Sequence, residues 1–420
     1  MNSHYKVLVI GGGTAGIMVA AQLRKAKRDL DIAIVEPADT HYYQPAWTLV
    51  GANTFDFDKT ARPMQDLIPA GVTWIKDFAA SFNPEKNEIS TEEGRIITYD
   101  FLVLAPGIKI DPSLIEGLSE ALDKGNVCSN YTDPKHTWEV LRNFKGGNAI
   151  FTQPTTPIKC GGAPQKICYL ASDYLKKKGL LNKSNVIMAT PGTIIFGVPQ
   201  IAETLTKVVD RYGIHFKTYY APVKVDADKN EITFKVMNKE KGDLDFFLGK
   251  NIKGRREGDD LVVIPYDLLH LAPPQTSPDF IKNSKFANEA GWVSVNIETL
   301  QHTEYQNVFG LGDAAGLPTA KTGAAIRKQA PIVVANLLKL MESDSITDMK
   351  YNGYSSCPLV TGYGKMVLAE FDYNNNFTPD PELKKMLIFN SDKEHWRLWI
   401  LKKYMLPYLY WNKMMKGEKV

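Results

Sequence analysis

Two cysteines in this 420-residue chain sit among residues that would make sulfur reactive. Cys160 lies in Thr156-Pro-Ile-Lys-Cys-Gly-Gly-Ala-Pro-Gln-Lys166, a loop ahead of a helix that should start near Pro164. A helix N-terminus and the adjacent Lys159 both lower a thiol pKa and favour thiolate. Cys357 lies in Tyr354-Ser-Ser-Cys-Pro-Leu-Val-Thr-Gly-Tyr363, read as a second loop leading into a strand over 365–370. Accessible sulfur with a stabilised leaving thiolate is what thiol–disulfide exchange requires. Lys166, six residues past Cys160, can stabilise such a thiolate or guide protons; the alternative is a solvated helix lysine. Cys168 follows on the same helix and reads as core. No two of the four cysteines form a CxxC pair, which argues against zinc or any other metal centre and against thioredoxin-like chemistry.

Cysteine chemistry of this kind needs an electron acceptor, and the first residues supply a place for one. Residues 5–10 form an apolar run suited to a buried parallel strand, and 31–36 form a second. Between them, Gly11-Gly-Gly-Thr-Ala-Gly16 opens a helix. Gly11 permits the tight turn, Gly13 lets a pyrophosphate approach the backbone beside Thr14 and Ala15, and Gly16 allows close helix–strand packing. The helix start offers free N–H groups to phosphate. Glu36, twenty residues after Gly16, can bind a ribose diol.

Two later segments select FAD over NAD. Tyr99-Asp-Phe-Leu-Val-Leu-Ala-Pro-Gly107, with Ala105 and Gly107 in its turn, resembles the second fingerprint of flavoproteins with two dinucleotide domains. Val308-Phe-Gly-Leu-Gly-Asp313 resembles the third, in which Gly312 and Asp313 meet the flavin's ribityl chain. A second nucleotide unit is expected from Asn185, with its helix over 199–212 and its next strand over 214–220. Its turn, Pro191-Gly-Thr-Ile-Ile-Phe-Gly197, lacks closely spaced glycines, and Tyr219 and Tyr220 occupy the ribose-reading end. A working nicotinamide site is not expected there.

The two cysteine segments, together with His41-Tyr-Tyr-Gln-Pro-Ala-Trp-Thr-Leu-Val-Gly51, Thr319-Ala-Lys-Thr322, Leu368-Ala-Glu-Phe-Asp-Tyr373 and Pro407-Tyr-Leu-Tyr-Trp-Asn412, resemble the sulfide:quinone oxidoreductase family. The resemblance runs essentially the whole length and is strongest to the branch that includes the mitochondrial enzymes. It implies an α/β fold of two Rossmann-like dinucleotide-binding domains, glutathione-reductase-like, with a C-terminal membrane-interface region. The FAD domain would take residues 1–112 and 290–345, the second domain 113–289, and the C-terminal region 346–420. Gln44 and Lys321 join the FAD site on the same grounds. The resemblance further implies that hydrosulfide attacks a disulfide or sulfur-bridged form of Cys160 and Cys357. The Cys357 thiolate would then add to flavin C4a, a soluble thiol or another sulfide would remove the sulfane sulfur, and the electrons would pass to quinone. Two departures stand out. Cys128 is not expected in this branch; it is a third redox thiol, a flavin attachment point or, as its flanks favour, a passive thiol. Ala314 stands where the mitochondrial members tend to have Cys.

Composition is that of a globular protein, 44% hydrophobic and 23% charged, and a net charge of +3 is too small to suggest nucleic acid as a partner. The nucleotide motif begins so close to Met1 that no signal or transit peptide is expected. No run reaches the roughly eighteen apolar residues of a membrane span. Residues 395–415 instead mix Trp, Tyr, Leu, Ile and Met with Arg397, Lys402, Lys403 and Lys413, which suits a helix pair lying at a lipid interface and split by Pro407. The alternative is an aromatic element packed on the protein's own core. Quinone arrives from lipid, so the expected location is peripheral, on a bacterial or mitochondrial inner membrane. The expected partners are sulfide, membrane quinone, a low-molecular-weight thiol or other sulfane acceptor, and the membrane surface, with homo-oligomers an open option. Type II NADH:quinone dehydrogenase, flavocytochrome c sulfide dehydrogenase and a non-enzymatic redox sensor are the rival readings.

Overall fold

The computed structural model describes residues 3–243, 245–249 and 251–419. Strand β1 (His4–Ile10) alternates little and is buried on both faces from Val7 onward, as a central parallel strand must be. The glycine turn follows, then helix α1 (Thr14–Ala26), then β2 (Ile32–Val35), β3 (Val72–Ile75) and β4 (Ile96–Leu104). All pair in parallel in the order β3-β2-β1-β4, and the strand Val308–Gly310 returns from far along the chain to extend β4. Register is fixed by the apolar pattern, with Val7 beside Ile32 on one edge and Phe101 on the other.

The second parallel sheet holds β5 (Val127–Cys128), β6 (Gly147–Thr152), β7 (Ser184–Ala189), β8 (His215–Lys217) and β9 (Leu268–Leu271). Helix α2 (Ala163–Lys177) connects β6 to β7, and α3 (Pro199–Tyr212) connects β7 to β8. The order β8-β7-β6-β9-β5 makes β6 the counterpart of β1, because both sit where the strand order reverses. This corrects the expectation from sequence. The turn equivalent to the first glycine loop is not the one after β7 but the one after β6, residues 153–162, and that turn carries Cys160. The expected strand over 214–220 is also shorter: it ends at Lys217, Tyr219 takes a positive φ of 68°, and Tyr220 opens a separate antiparallel sheet.

The chain then runs through the long helix α4 (Gly323–Ser343) into a hairpin of β10 (Ser355–Gly362) and β11 (Lys365–Phe371). Cys357 is therefore on a strand, paired with Ala369, and not in the loop expected. Its β-branched and small neighbours favour the pleat, and α2 packs across β10. The last element, α5 (396–412), also departs from expectation. It is one continuous helix with a π-helical turn at Leu401–Met405 placed just before Pro407. The wider turn accommodates the proline ring and its missing N–H, so Pro407 does not split the helix.

Candidate active site

A cavity of about 710 Å³ runs from the first glycine turn, past the cysteine loop, to α5. Of the residues expected around FAD, Gly13, Thr14, Ala15, Glu36, Gln44, Ala105, Gly107, Asp313 and Lys321 line it. Gly11, Gly16 and Gly312 shape its wall from behind. Gly11 has φ of 101° and would press a side chain into the Ala105 carbonyl, while a Cβ on Gly16 would collide with the Gly11 carbonyl. The Gly312 N–H donates to Gln329 Oε1 at 2.9 Å.

These residues fit a dinucleotide. A Cβ on Gly13 would meet nothing within 4 Å, so the turn faces open space where phosphate approaches. The N-terminus of α1 has no side-chain cap, which leaves its N–H groups free for a ligand. Glu36 accepts from the Gly12 N–H at 2.6 Å and the Ala38 N–H at 2.8 Å, which holds its carboxylate at the end of β2. Burial raises its pKa, and those two N–H bonds work against the rise. At the same carboxyl end of the sheet, past the strand Val308–Gly310, Lys321 Nζ donates to the Asp313 carbonyl at 2.6 Å and lies 3.9 Å from the Trp292 ring centroid. Burial brings the lysine down to about 8 and raises the Asp313 carboxyl, each moderated by the other.

Cys160 takes a left-handed φ of 52° in the turn before α2, held by its N–H to the Lys321 carbonyl at 2.8 Å and its carbonyl to Tyr131 Oη at 3.1 Å. This conformation brings its sulfur to Cys357. A Cβ on Gly162 would lie 2.6 Å from the Cys357 sulfur, so the glycine of the loop is what lets the two elements meet. Lys166, one turn into α2, places Nζ 2.9 Å from Cys160 Sγ. It is buried to 3% exposure, so the alternative of a solvated lysine fails. A hydrogen bond from the Cys357 thiol, then the charge of Lys166, holds Cys160 well below the ordinary thiol range against the cost of burial. Donating that bond, together with burial, pushes Cys357 up. Burial opposes the Lys166 charge, and the two sulfurs outweigh it and raise its pKa.

Cys160 lines the cavity, whereas Cys357 lies behind it between the lining residues Ser356 and Pro358. Of the two sulfurs, the cavity-facing one is thus that of Cys160. Cys128 and Cys168 are elsewhere: both are buried in the core that backs the second sheet, 1% and 0% exposed, with thiols pushed up by burial. Cys128 does not line the cavity.

Several residues here were not singled out from the sequence. Lys402, read there as part of the polar face of an interfacial helix, is 3% exposed, lines the cavity and donates to the Pro45 carbonyl at 2.7 Å. Burial and the nearby Lys166 charge lower its pKa to about 7. Its spacing four residues from Leu398 and from Leu406 placed it on the apolar side of the helix, a signal that was legible. Tyr410 links α5 to the nucleotide turn, with its hydroxyl 2.6 Å from Thr14 Oγ1 and 2.6 Å from His41 Nε2. Burial lowers His41 to about 4, so it is neutral. Beyond the cysteines the cavity turns apolar, with Leu368, Leu383, Met386, Leu401, Met405, Leu406 and Leu409 on its walls.

Comparison with known proteins agrees with this arrangement. Residues 5–148 match the pyridine nucleotide-disulphide oxidoreductase family. The mitochondrial sulfide:quinone oxidoreductase of Mus musculus is 40% identical over 417 residues, covering 99% of this chain and 87% of the relative. That of Dictyostelium discoideum is also 40% identical, covering 98% and 86%. The solved sulfide:quinone oxidoreductase of Aquifex aeolicus superposes with a TM-score of 0.78 at 19% identity, covering 99% of this chain and 92% of that one. The chain therefore belongs to the sulfide:quinone oxidoreductase family and is a flavin-dependent oxidoreductase.

Proposed function

We propose that this protein oxidises hydrosulfide at the Cys160–Cys357 pair and delivers the electrons through FAD to a quinone in the apolar end of the cavity. The observation that carries the reading is the Lys166 ammonium on a Cys160 sulfur that itself accepts from Cys357, at the wall of a cavity shared with the nucleotide turn. In the oxidised pair, hydrosulfide attacks the Cys357 sulfur, the S–S bond breaks, and Cys160 leaves as the better-stabilised thiolate. Cys357 then carries the persulfide. A soluble thiol takes the outer sulfur as its own persulfide, which leaves both cysteines reduced. Their re-pairing releases two electrons. FAD, when bound in the cavity that Cys160 lines, would supply the two-electron acceptor. Lys166 holds the leaving charge throughout.

The outer face of α5 supports attachment to a membrane surface. Trp396, Ile400, Tyr404 and Tyr408 recur every four residues and are 59%, 37%, 57% and 59% exposed, and Phe389, ahead of the helix in the chain, is 71% exposed. Such a stripe suits the lipid interface, while the opposite face of the helix lines the cavity. No helix among the described residues is long and apolar enough to cross a membrane. An inner-membrane surface, where quinone is dissolved, is the location this reading requires.

The test is anaerobic. Sulfide, and not NADH, should bleach the flavin band of the purified protein. Cys160→Ser and Cys357→Ser should each retain FAD and lose sulfide-dependent reduction of a short-chain quinone. Normal turnover in either variant refutes the pairing.

A further inference from the structure

The apolar end of the cavity contains a buried acid for which sulfide chemistry has no use. Glu370 on β11 lies two residues beyond Leu368, on the same strand face, and both line the cavity. The residue is 2% exposed. Its Oε1 accepts from Tyr354 Oη at 2.5 Å and its Oε2 from the Asp380 N–H at 3.0 Å. Tyr354 Oη in turn accepts from Arg327 Nη2 at 3.0 Å, and the same nitrogen is 3.6 Å from the Asp380 carboxylate. Tyr354, Arg327 and Asp380 line the cavity as well, and the Asp380 side chain is 27% exposed. Lys328 completes the charged surroundings, with Nζ 5.5 Å from the centre of the Tyr354 ring. A continuous polar path therefore joins the buried carboxyl to solvent.

An apolar wall alone would hold a quinone, and burying an acid in it costs free energy. Burial raises the Glu370 pKa, with the bonds from Tyr354 and Asp380 and the Arg327 charge pulling the other way. Quinone reduction needs such a group, because it consumes two electrons and two protons at a site that excludes water.

We infer that Glu370 donates one proton to the quinone oxygen and is reprotonated from solvent past Asp380. The inference rests on the reading that quinone binds at this end of the cavity. The Glu370 carboxyl provides one of the two protons; reduced flavin, when bound, would supply the two electrons and the other proton. The O–H bond of the carboxyl breaks as an O–H bond to quinone forms. The carboxylate left behind recovers its proton from water, with Tyr354 and Arg327 holding it in place.

Stopped-flow measurement on the FAD-loaded protein separates the two half-reactions. In Glu370→Gln, bleaching by sulfide should stay within about twofold of wild type, and the ubiquinone-1 concentration that half-saturates reoxidation should also be unchanged. The limiting rate of reoxidation should fall by roughly tenfold or more, as for loss of a general acid. Added acetic acid should restore part of that rate, which a merely structural role would not allow. Tyr354→Phe keeps the carboxyl and tests the same path should the Gln variant fail to fold; it should slow reoxidation and leave bleaching intact. Reoxidation at the wild-type rate in these variants, or an equal loss in both half-reactions with no rescue by acid, overturns the inference. Failure of sulfide to bleach the wild-type flavin would instead sink the proposed function, so the two failures are distinguishable.

Discussion

Replacing Lys166 with Met should raise the pKa of Cys160 by about one to two units. The Nζ stands 2.9 Å from the sulfur, and Lys166 is 3% exposed, so water screens the interaction weakly. A buried hydrogen bond to a charged group contributes roughly 1.5–3 kcal/mol, and one pKa unit corresponds to about 1.36 kcal/mol. The direction follows from charge: the ammonium favours thiolate, so its loss moves ionisation to higher pH. The Cys357 thiol and Lys402 still favour the thiolate in the variant, so Cys160 should remain more acidic than Cys168, which burial alone pushes up. The assay is the pH dependence of iodoacetamide labelling of the reduced protein, with the Cys160 peptide followed by mass spectrometry. Lys166→Arg, which keeps the charge, should shift the midpoint less. A Cys160 midpoint that stays put in Lys166→Met, or falls, would refute the electrostatic argument and remove the reason for naming Cys160 as the leaving thiolate.

Two further outcomes follow from the same geometry. Lys402 is held at about 7 in the folded protein against an ordinary 10.5, so between those values the unfolded chain binds a proton that the folded chain does not, and stability rises with pH. Lys402→Met should therefore stabilise the protein most below pH 7, and its advantage should shrink by roughly 2–3 kcal/mol between pH 6.5 and 9; denaturation at the two values checks this, and a gain independent of pH contradicts it. Substituting Ser for Trp396, Tyr404 and Tyr408 together should reduce binding to phospholipid vesicles by roughly tenfold or more while sulfide still bleaches the flavin; unchanged co-sedimentation would mean this stripe is not the lipid contact.

The nucleotide turn was legible because its requirements are local: Gly11, Gly13 and Gly16 each answer a backbone constraint within a few residues, and Glu36 is reached by counting. The Cys160 segment was recognisable for a related reason, since it carries its own lysines and helix start along the chain. Pairing depended on more. Cys160 and Cys357 come together through a left-handed residue and a glycine contact between α2 and β10, which no spacing reveals. The second nucleotide-type turn was misplaced because β6 and β7 are both apolar parallel strands followed by helices, and only the order of pairing shows which is central. Lys402 was misread because Lys403 and Arg397 share its charge, although its spacing from Leu398 and Leu406 already placed it on the inward face, where it donates to the Pro45 carbonyl. Glu370 hid in an apolar strand, where an acid reads as an irregularity until Tyr354 and Asp380 are seen around it.

Both parallel sheets reverse their strand order at one place, and each puts its most exacting loop there. In the first sheet that loop is bare backbone, open to a phosphate; in the second it carries two prolines and a cysteine whose sulfur accepts from Lys166. The turn in the position of a second nucleotide loop is thus the one that holds Cys160 at its left-handed φ of 52°. One position in a repeated architecture is given to phosphate-facing backbone in the first sheet and to a cysteine in the second.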